Sequence, residues 1–164
     1  MNFLAIDVDY KKDKALVAGV AFCEKEDKTQ KYTTQIEDVQ EYISGEFYKR
    51  ELPCILSLLE EHSLKPDCII VDGYVFLEGD KAGLGKHLYD ALDKKVKVIG
   101  VAKNPRGETQ KEYELLRGKS LKPLFVTSVD IKLEEAKDFI KNMDGEYRIP
   151  TQLKLVDSLC RGKI

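Results

Sequence analysis

Two aspartates close two short apolar runs: Phe3-Leu4-Ala5-Ile6 leads into Asp7, and Cys68-Ile69-Ile70-Val71 leads into Asp72. Runs of this kind read as strands, the second as one buried on both faces. A carboxylate beside such a run must be neutralised, hydrogen-bonded or bound to a cation, because desolvating its charge is expensive. Taken singly, either aspartate could instead cap N–H groups at a turn. Two of them meeting at adjacent strand ends make a cation site. Oxygen-only ligation suits Mg2+ or Mn2+, hard ions that keep several waters and reach out to substrate phosphates. Asp9 lies two residues beyond Asp7 and so shares its face; Asp7, nearer the apolar run, is the ligand of choice. Glu51 stands with Pro53 at the start of a helical pattern, so that Pro53 falls in the first turn. There Glu51 would either direct its carboxylate toward the sheet or simply favour the positive end of the helix dipole.

Other chemistries are poorly supplied. The four cysteines, Cys23, Cys54, Cys68 and Cys160, are far apart with no C-x-x-C pair, and the only histidines are His62 and His87. Zinc ligation is therefore hard to assemble, and the cysteines read as small buried hydrophobes. With 43% hydrophobic and 34% charged residues the chain is ordinary globular protein, and no apolar run is long enough to span a membrane. Nothing at the start resembles a secretory signal, so a cytoplasmic address is expected. A net charge of −2 argues mildly against non-specific binding to nucleic acid, although a carboxylate cluster that loads cations is acidic only on paper. Lys94, Lys95, Lys97, Lys103, Arg106, Lys111, Arg117, Lys119 and Lys122 crowd one stretch, as a solvated surface or a phosphate track.

The elements that must position these residues follow from periodicity. Residues 3–8 and 15–23 form a hairpin and 30–36 alternates as a third strand, giving three antiparallel strands. From 47 to 62 the period becomes helical, with Leu52, Ile55, Leu56 and Leu59 on one face. A buried strand at 67–73, a short helix at 83–92, a strand at 96–102 and another at 124–129 follow. Two helices close the chain, at 133–143 and at 150–159, the second opening on Pro150. Residues 106–122 lack a period and read as a loop or an exposed hairpin. The expected fold is α/β, a mixed sheet of three antiparallel strands and then strand–helix alternation, flanked by helices. One domain over residues 1–164 and a monomer are expected.

The order of elements is that of ribonuclease H-like domains, and several motifs sharpen the likeness. The segment Tyr42-Ile43-Ser44-Gly45-Glu46-Phe47-Tyr48-Lys49-Arg50-Glu51 resembles the endonuclease V motif, in which a Tyr-Ile-Pro-Gly wedge precedes a Phe-Arg-Glu run ending in a metal-associated glutamate. Residues Ala5-Ile6-Asp7-Val8-Asp9-Tyr10 resemble that family's first catalytic strand, and Val71-Asp72-Gly73 its second. Gly83-Leu84-Gly85-Lys86-His87-Leu88 resembles a Gly-Leu-x-x-His-Leu helix start, and Val98-Ile99-Gly100-Val101-Ala102-Lys103 a catalytic-lysine strand. Glu146-Tyr147-Arg148-Ile149-Pro150, with Lys154 and Asp157 beyond, is similar to the Tyr-Arg-Leu-Pro segment and closing helix. The matches run in family order over nearly the whole chain.

The resemblance implies a Mg2+- or Mn2+-dependent endonuclease cutting a nucleic-acid strand, DNA or RNA, near a deaminated base such as inosine. It implies Asp7, Glu51 and Asp72 as metal ligands, Lys103 beside the scissile phosphate, and Gly73, His87 and Asn104 against substrate. Tyr42, Ile43, Ser44 and Gly45 form what remains of the wedge. The chain departs from the pattern with Glu41 and Ser44 at the wedge's proline positions and Tyr74-Val75 where His-Gly follows the second aspartate. Asp130 stands where the family has a histidine, as a fourth metal ligand or as an N-cap for the next helix. These departures leave two rivals, a ribonuclease H-like nuclease for branched or structured nucleic acid and a nucleic-acid-binding relative that does not cut.

Overall fold

The computed structural model describes residues 1–164 apart from 25, 40, 42, 45, 109 and 164, together with the side chains of 26 and 27. Among the described residues a seven-stranded sheet in the order β3-β2-β1-β4-β5-β7-β6 carries four α-helices. The antiparallel meander is β1 (Asn2–Lys11), β2 (Lys14–Cys23) and β3 (Glu26–Ile36). Helix α1 (Tyr48–Glu61) leads to β4 (Cys68–Asp72), and α2 (Leu84–Ala91) to β5 (Lys97–Ala102). A two-residue edge strand, β6 (Glu114–Leu115), precedes β7 (Leu124–Val129), and α3 (Leu133–Lys141) and α4 (Thr151–Cys160) finish the chain. Among the described residues no helix is long and apolar enough to cross a membrane.

Alternation along the strands divides the core in two. Phe3, Ala5, Ile70, Ile99 and Val101 pack beneath α3 and α4 with Ala136, Ile140, Val156 and Cys160. Leu4, Ile6, Ile69, Val71 and Val98 face α1 and α2, against Ile55, Leu58, Leu84 and Leu88. Continuing the same parity places Asp7, Asp72 and Lys103 on the α3/α4 face, just past the apolar layers. Strands β1 and β4 are parallel, with Ile6 opposite Val71, and β4 and β5 are parallel, with Asp72 opposite Val101. Three carboxyl ends thus lie side by side, the position where open α/β sheets bind ligands.

Two expectations change. Helix α1 begins at Tyr48, so Pro53 sits in the second turn; its ring lies on the exposed face, where the missing N–H is tolerated. Arg117, counted among the basic surface residues, is only 4% exposed and belongs to the interior. The expected sheet and helices otherwise appear within a few residues of their predicted ends.

Close approach of main chain fixes the segment after β4. A Cβ on Gly100 would lie 2.5 Å from the Gly73 carbonyl, 2.8 Å from Thr127 Oγ1 and 3.0 Å from the Val75 nitrogen. Val75 N–H donates to Thr127 Oγ1 at 2.8 Å, so this contact locks residues 73–75 across β5 and β7. Gly100→Ala is expected to cost about 2 kcal/mol through overpacking against backbone that cannot step aside; an unchanged urea midpoint would contradict the packing described.

Candidate active site

Asp7 and Glu51 are 8% and 6% exposed, whereas Asp72 opens to solvent at the rim. Asp7 comes from the end of β1, Asp72 from the end of β4, and Glu51 from the first turn of α1, which bends over the strand ends from the opposite layer. Burial is the largest influence on Glu51, followed by the charges of Asp7 and Asp72; together they push its carboxyl well above the ordinary range, with Arg50 opposing. Asp7 is pushed up to about 7, first by burial, then by Asp72, against a hydrogen bond of 2.9 Å from the Val8 N–H to its Oδ1. Burial also raises Asp72, with Lys103 opposing and Asp157 reinforcing. Glu51 is therefore no mere helix-dipole partner. These carboxyls press on one another, the arrangement that a cation relieves.

Helix α4 supplies a fourth carboxylate. Ligand atoms of Asp7, Asp157 and Cys160 lie within 4.8 Å of one another. Burial by itself would raise Asp157, but the Arg161 hydrogen bond of 2.9 Å, the positive charges of Lys103 and Arg161, and a side-chain hydrogen bond with Asp7 hold it low. Burial pushes the Cys160 thiol up to about 12, so it stays protonated and leaves ligation to oxygen. In the sequence Asp157 stands within the closing-helix motif with no role of its own. Its signal was weak, since an aspartate in a half-exposed helical turn is ordinary until the packing of that helix is known.

Lys103 completes the group. A small cavity of about 30 Å3 is lined by Asp7, Asp72 and Lys103 and roofed by Ile149, Leu153 and Val156. That is room for an ion or a water and too little for a base. Beside it, a cleft of about 210 Å3 runs between Phe47, Tyr48, Gly73, Tyr74, Gly83 and Arg106. Gly73 enters the cleft at φ 139°, and its N–H donates to the Val101 carbonyl at 3.0 Å. His87 stacks on Tyr48 with ring centroids 3.6 Å apart, and burial lowers its pKa from the ordinary histidine value, favouring the neutral ring. The Asn104 side chain is exposed, and its carbonyl accepts the Tyr74 hydroxyl at 2.6 Å. Ile43 and Ser44 are exposed ahead of α1; Tyr42 and Gly45 lie outside the described residues.

Asp130 is the correction. Strand β7 is antiparallel to β5, with Phe125 opposite Ala102 and Val129 opposite Val98, so Asp130 emerges at the end of the sheet away from Asp72 and Lys103. It is not the N-cap of α3 either, a position held by Lys132.

A family model described as Endonuclease V matches residues 2–158. The Pyrococcus horikoshii protein named Endonuclease V is 33% identical over 163 residues, taking in 98% of this chain and 73% of that protein. The chain spans about three-fifths of the length of the first curated relatives it matches. The crystal structure of the Streptomyces avermitilis Endonuclease V superposes with a TM-score of 0.80 at 26% identity, over 99% of this chain and 80% of that one. The Ciona intestinalis Endonuclease V, bound to a 24mer DNA containing an inosine followed by a ribo-adenosine, gives 0.82 at 23% identity over 99% and 85%. With these neighbours the sheet takes its place among ribonuclease H-like folds.

Proposed function

The chain belongs to the endonuclease V family, and from that premise we propose that it is a divalent-metal-dependent endonuclease that hydrolyses a phosphodiester in DNA or RNA near a deaminated base such as inosine. The observation that carries the reading is the convergence of Asp7, Glu51, Asp72 and Asp157 on the strand ends beside Lys103. The donor set fits a hard cation, Mg2+ or Mn2+: all oxygen, crowded, and raised at three of four members by burial first and then by the neighbouring carboxylates. Asp7, Asp72, Glu51 and Asp157 are the residues that would hold such an ion.

The chemistry such an ion would supply when bound is activation of the attacking water and neutralisation of charge on the leaving oxygen. Lys103, at the lip of the small cavity, meets the scissile phosphate and offsets the negative charge that grows on it. The cleft beside Gly73 receives an unstacked base between Phe47 and Tyr74; Ile43 and Ser44, exposed ahead of Phe47 in the chain, are what remains of the wedge. Glu41 and Ser44 in place of wedge prolines favour a second reading, that structured or branched nucleic acid is cut without reading inosine.

Wild type and Asp72→Asn are compared on inosine-bearing DNA and RNA strands, their unmodified twins and a four-way junction, with Mg2+, Mn2+ or chelator. Metal-dependent nicking of the inosine strands, reduced about 100-fold in the variant, is the expected result. Equal cutting of unmodified twins or preference for the junction selects the second reading, and binding without cutting at any metal concentration defeats both.

A further inference from the structure

We propose that Tyr74 and Arg148 are positioning residues for Lys103, gripping the peptide that follows β5 from two sides; the inference rests on the reading of Lys103 as the residue that meets the scissile phosphate.

The need for a grip comes from where the ladder stops. Strand β5 is last paired at Asp72 opposite Val101 on one side and at Ala102 opposite Phe125 on the other. Lys103 is two residues past the first pairing and one past the second, at the start of a segment whose next residues, 104–108, are exposed. A lysine is a point charge on a long flexible stem, so its reach is defined only as well as its Cα is held. The two carbonyls at this point are both taken. Arg148 donates from Nη2 to the Lys103 carbonyl at 2.5 Å, and Tyr74 donates its hydroxyl to the Asn104 carbonyl at 2.6 Å.

Each clamp is anchored to a carrier of a site carboxylate. Tyr74 stands two residues after Asp72, on main chain locked by Thr127 and Gly100. Arg148 donates also to the Lys122 carbonyl at 3.1 Å and the Pro123 carbonyl at 2.9 Å, and it immediately precedes Ile149 and Pro150, the entry to the helix that bears Asp157. The two side chains therefore fix the Lys103 backbone relative to Asp72 and Asp157, the two carboxylates whose acidity responds to its charge. Errors of an ångström in such a placement are felt in the chemical step more than in binding.

Tyr74→Phe removes one hydroxyl and leaves the ring. We expect its kcat on the inosine strand to fall about ten-fold, with KM and the affinity for the strand in Ca2+ unchanged. Lys103→Ala, measured beside it, sets the floor, and the double variant should fall no further than Lys103→Ala. In protein with 13C-dimethylated lysines, the Lys103 resonance, assigned by its loss in Lys103→Arg, should move toward the position of exposed lysines in Tyr74→Phe. A Tyr74→Phe enzyme with full kcat beside a crippled Lys103→Ala overturns the clamp and spares the function. Lys103→Ala with full kcat overturns the role of the lysine and the clamp with it. If no strand is cut by the wild type, the resonance still decides: an unmoved Lys103 signal overturns the clamp.

Discussion

Asp7→Asn is expected to lower metal-dependent cutting by about 1,000-fold and, in the same protein, to make the metal-free fold harder to unfold at pH 8. The two effects have one cause. The Asp7 carboxyl is held at about 7 in the fold against 3.8 when exposed, because burial and the neighbouring Asp72 disfavour its charge. A raised folded pKa means the folded state keeps a proton that the unfolded chain releases, so stability is greatest below about pH 4, declines as pH climbs, and levels off above about pH 7. The full difference corresponds to about 4 kcal/mol at pH 8 as an upper bound. Asparagine has no charge to desolvate, and its absence of charge also relieves Glu51, whose acidity Asp7 suppresses. Urea melts in chelator should therefore show the variant more stable by about 2–4 kcal/mol at pH 8 and by less at pH 5. An added divalent ion should reverse the ranking, since it stabilises only the protein able to hold it. The ion must displace the proton, so cutting by the wild type should weaken as pH falls below about 7. Loss of cutting without any gain in stability at pH 8 would mean that Asp7 is already neutralised by something other than an ion.

The parts of this site that could be read in the sequence are those set by local alternation. Asp7 and Asp72 stand at the ends of apolar runs, and a period of two fixes which face each occupies once the run is known to be a strand. Glu51 was ambiguous, because first-turn glutamates are common and only the packing of α1 over the strand ends buries this one. Asp157 was missed for a related reason: the residue that a helix turns toward the sheet depends on its rotation about its own axis, which Leu153, Val156 and Cys160 settle through long-range packing. Asp130 failed through strand direction. A strand-like run of six residues does not state which way it crosses the sheet, and the antiparallel course of β7 carries its end away from the ends of β4 and β5. Of the basic stretch from 94 to 122 only Arg117 is buried, and composition cannot distinguish a lysine in water from an arginine that has found a set of carbonyls.

That arginine carries the other large effect. Arg117 sends its guanidinium into the end of α3 and the turn after it, donating from Nε to the Ile140 carbonyl at 3.1 Å, from Nη2 to the Gly145 carbonyl at 3.0 Å, and further to the carbonyls of Lys141, Met143, Asp144 and Tyr147. These are acceptors that a helix C-terminus and an irregular turn leave without partners. Gly118, at φ +66°, lets the chain pass so close that a Cβ there would lie 2.5 Å from the Glu146 carbonyl. Arg117→Met keeps much of the stem and strands several buried acceptors, each worth about 1–3 kcal/mol when unsatisfied, so a loss of about 3–5 kcal/mol is expected after relaxation and water entry. For a chain of this size that is a fall of about 10–15 °C in Tm. Arg117→Lys should recover little, because one ammonium cannot span carbonyls on both sides of a planar fork. The damaged turn leads directly into Arg148 and α4, so at temperatures where the variant remains folded its cutting should also decline. If Arg117→Met melts within about 2 °C of the wild type, the carbonyls are satisfied by water already and the guanidinium is not what holds the last helix over the carboxylates.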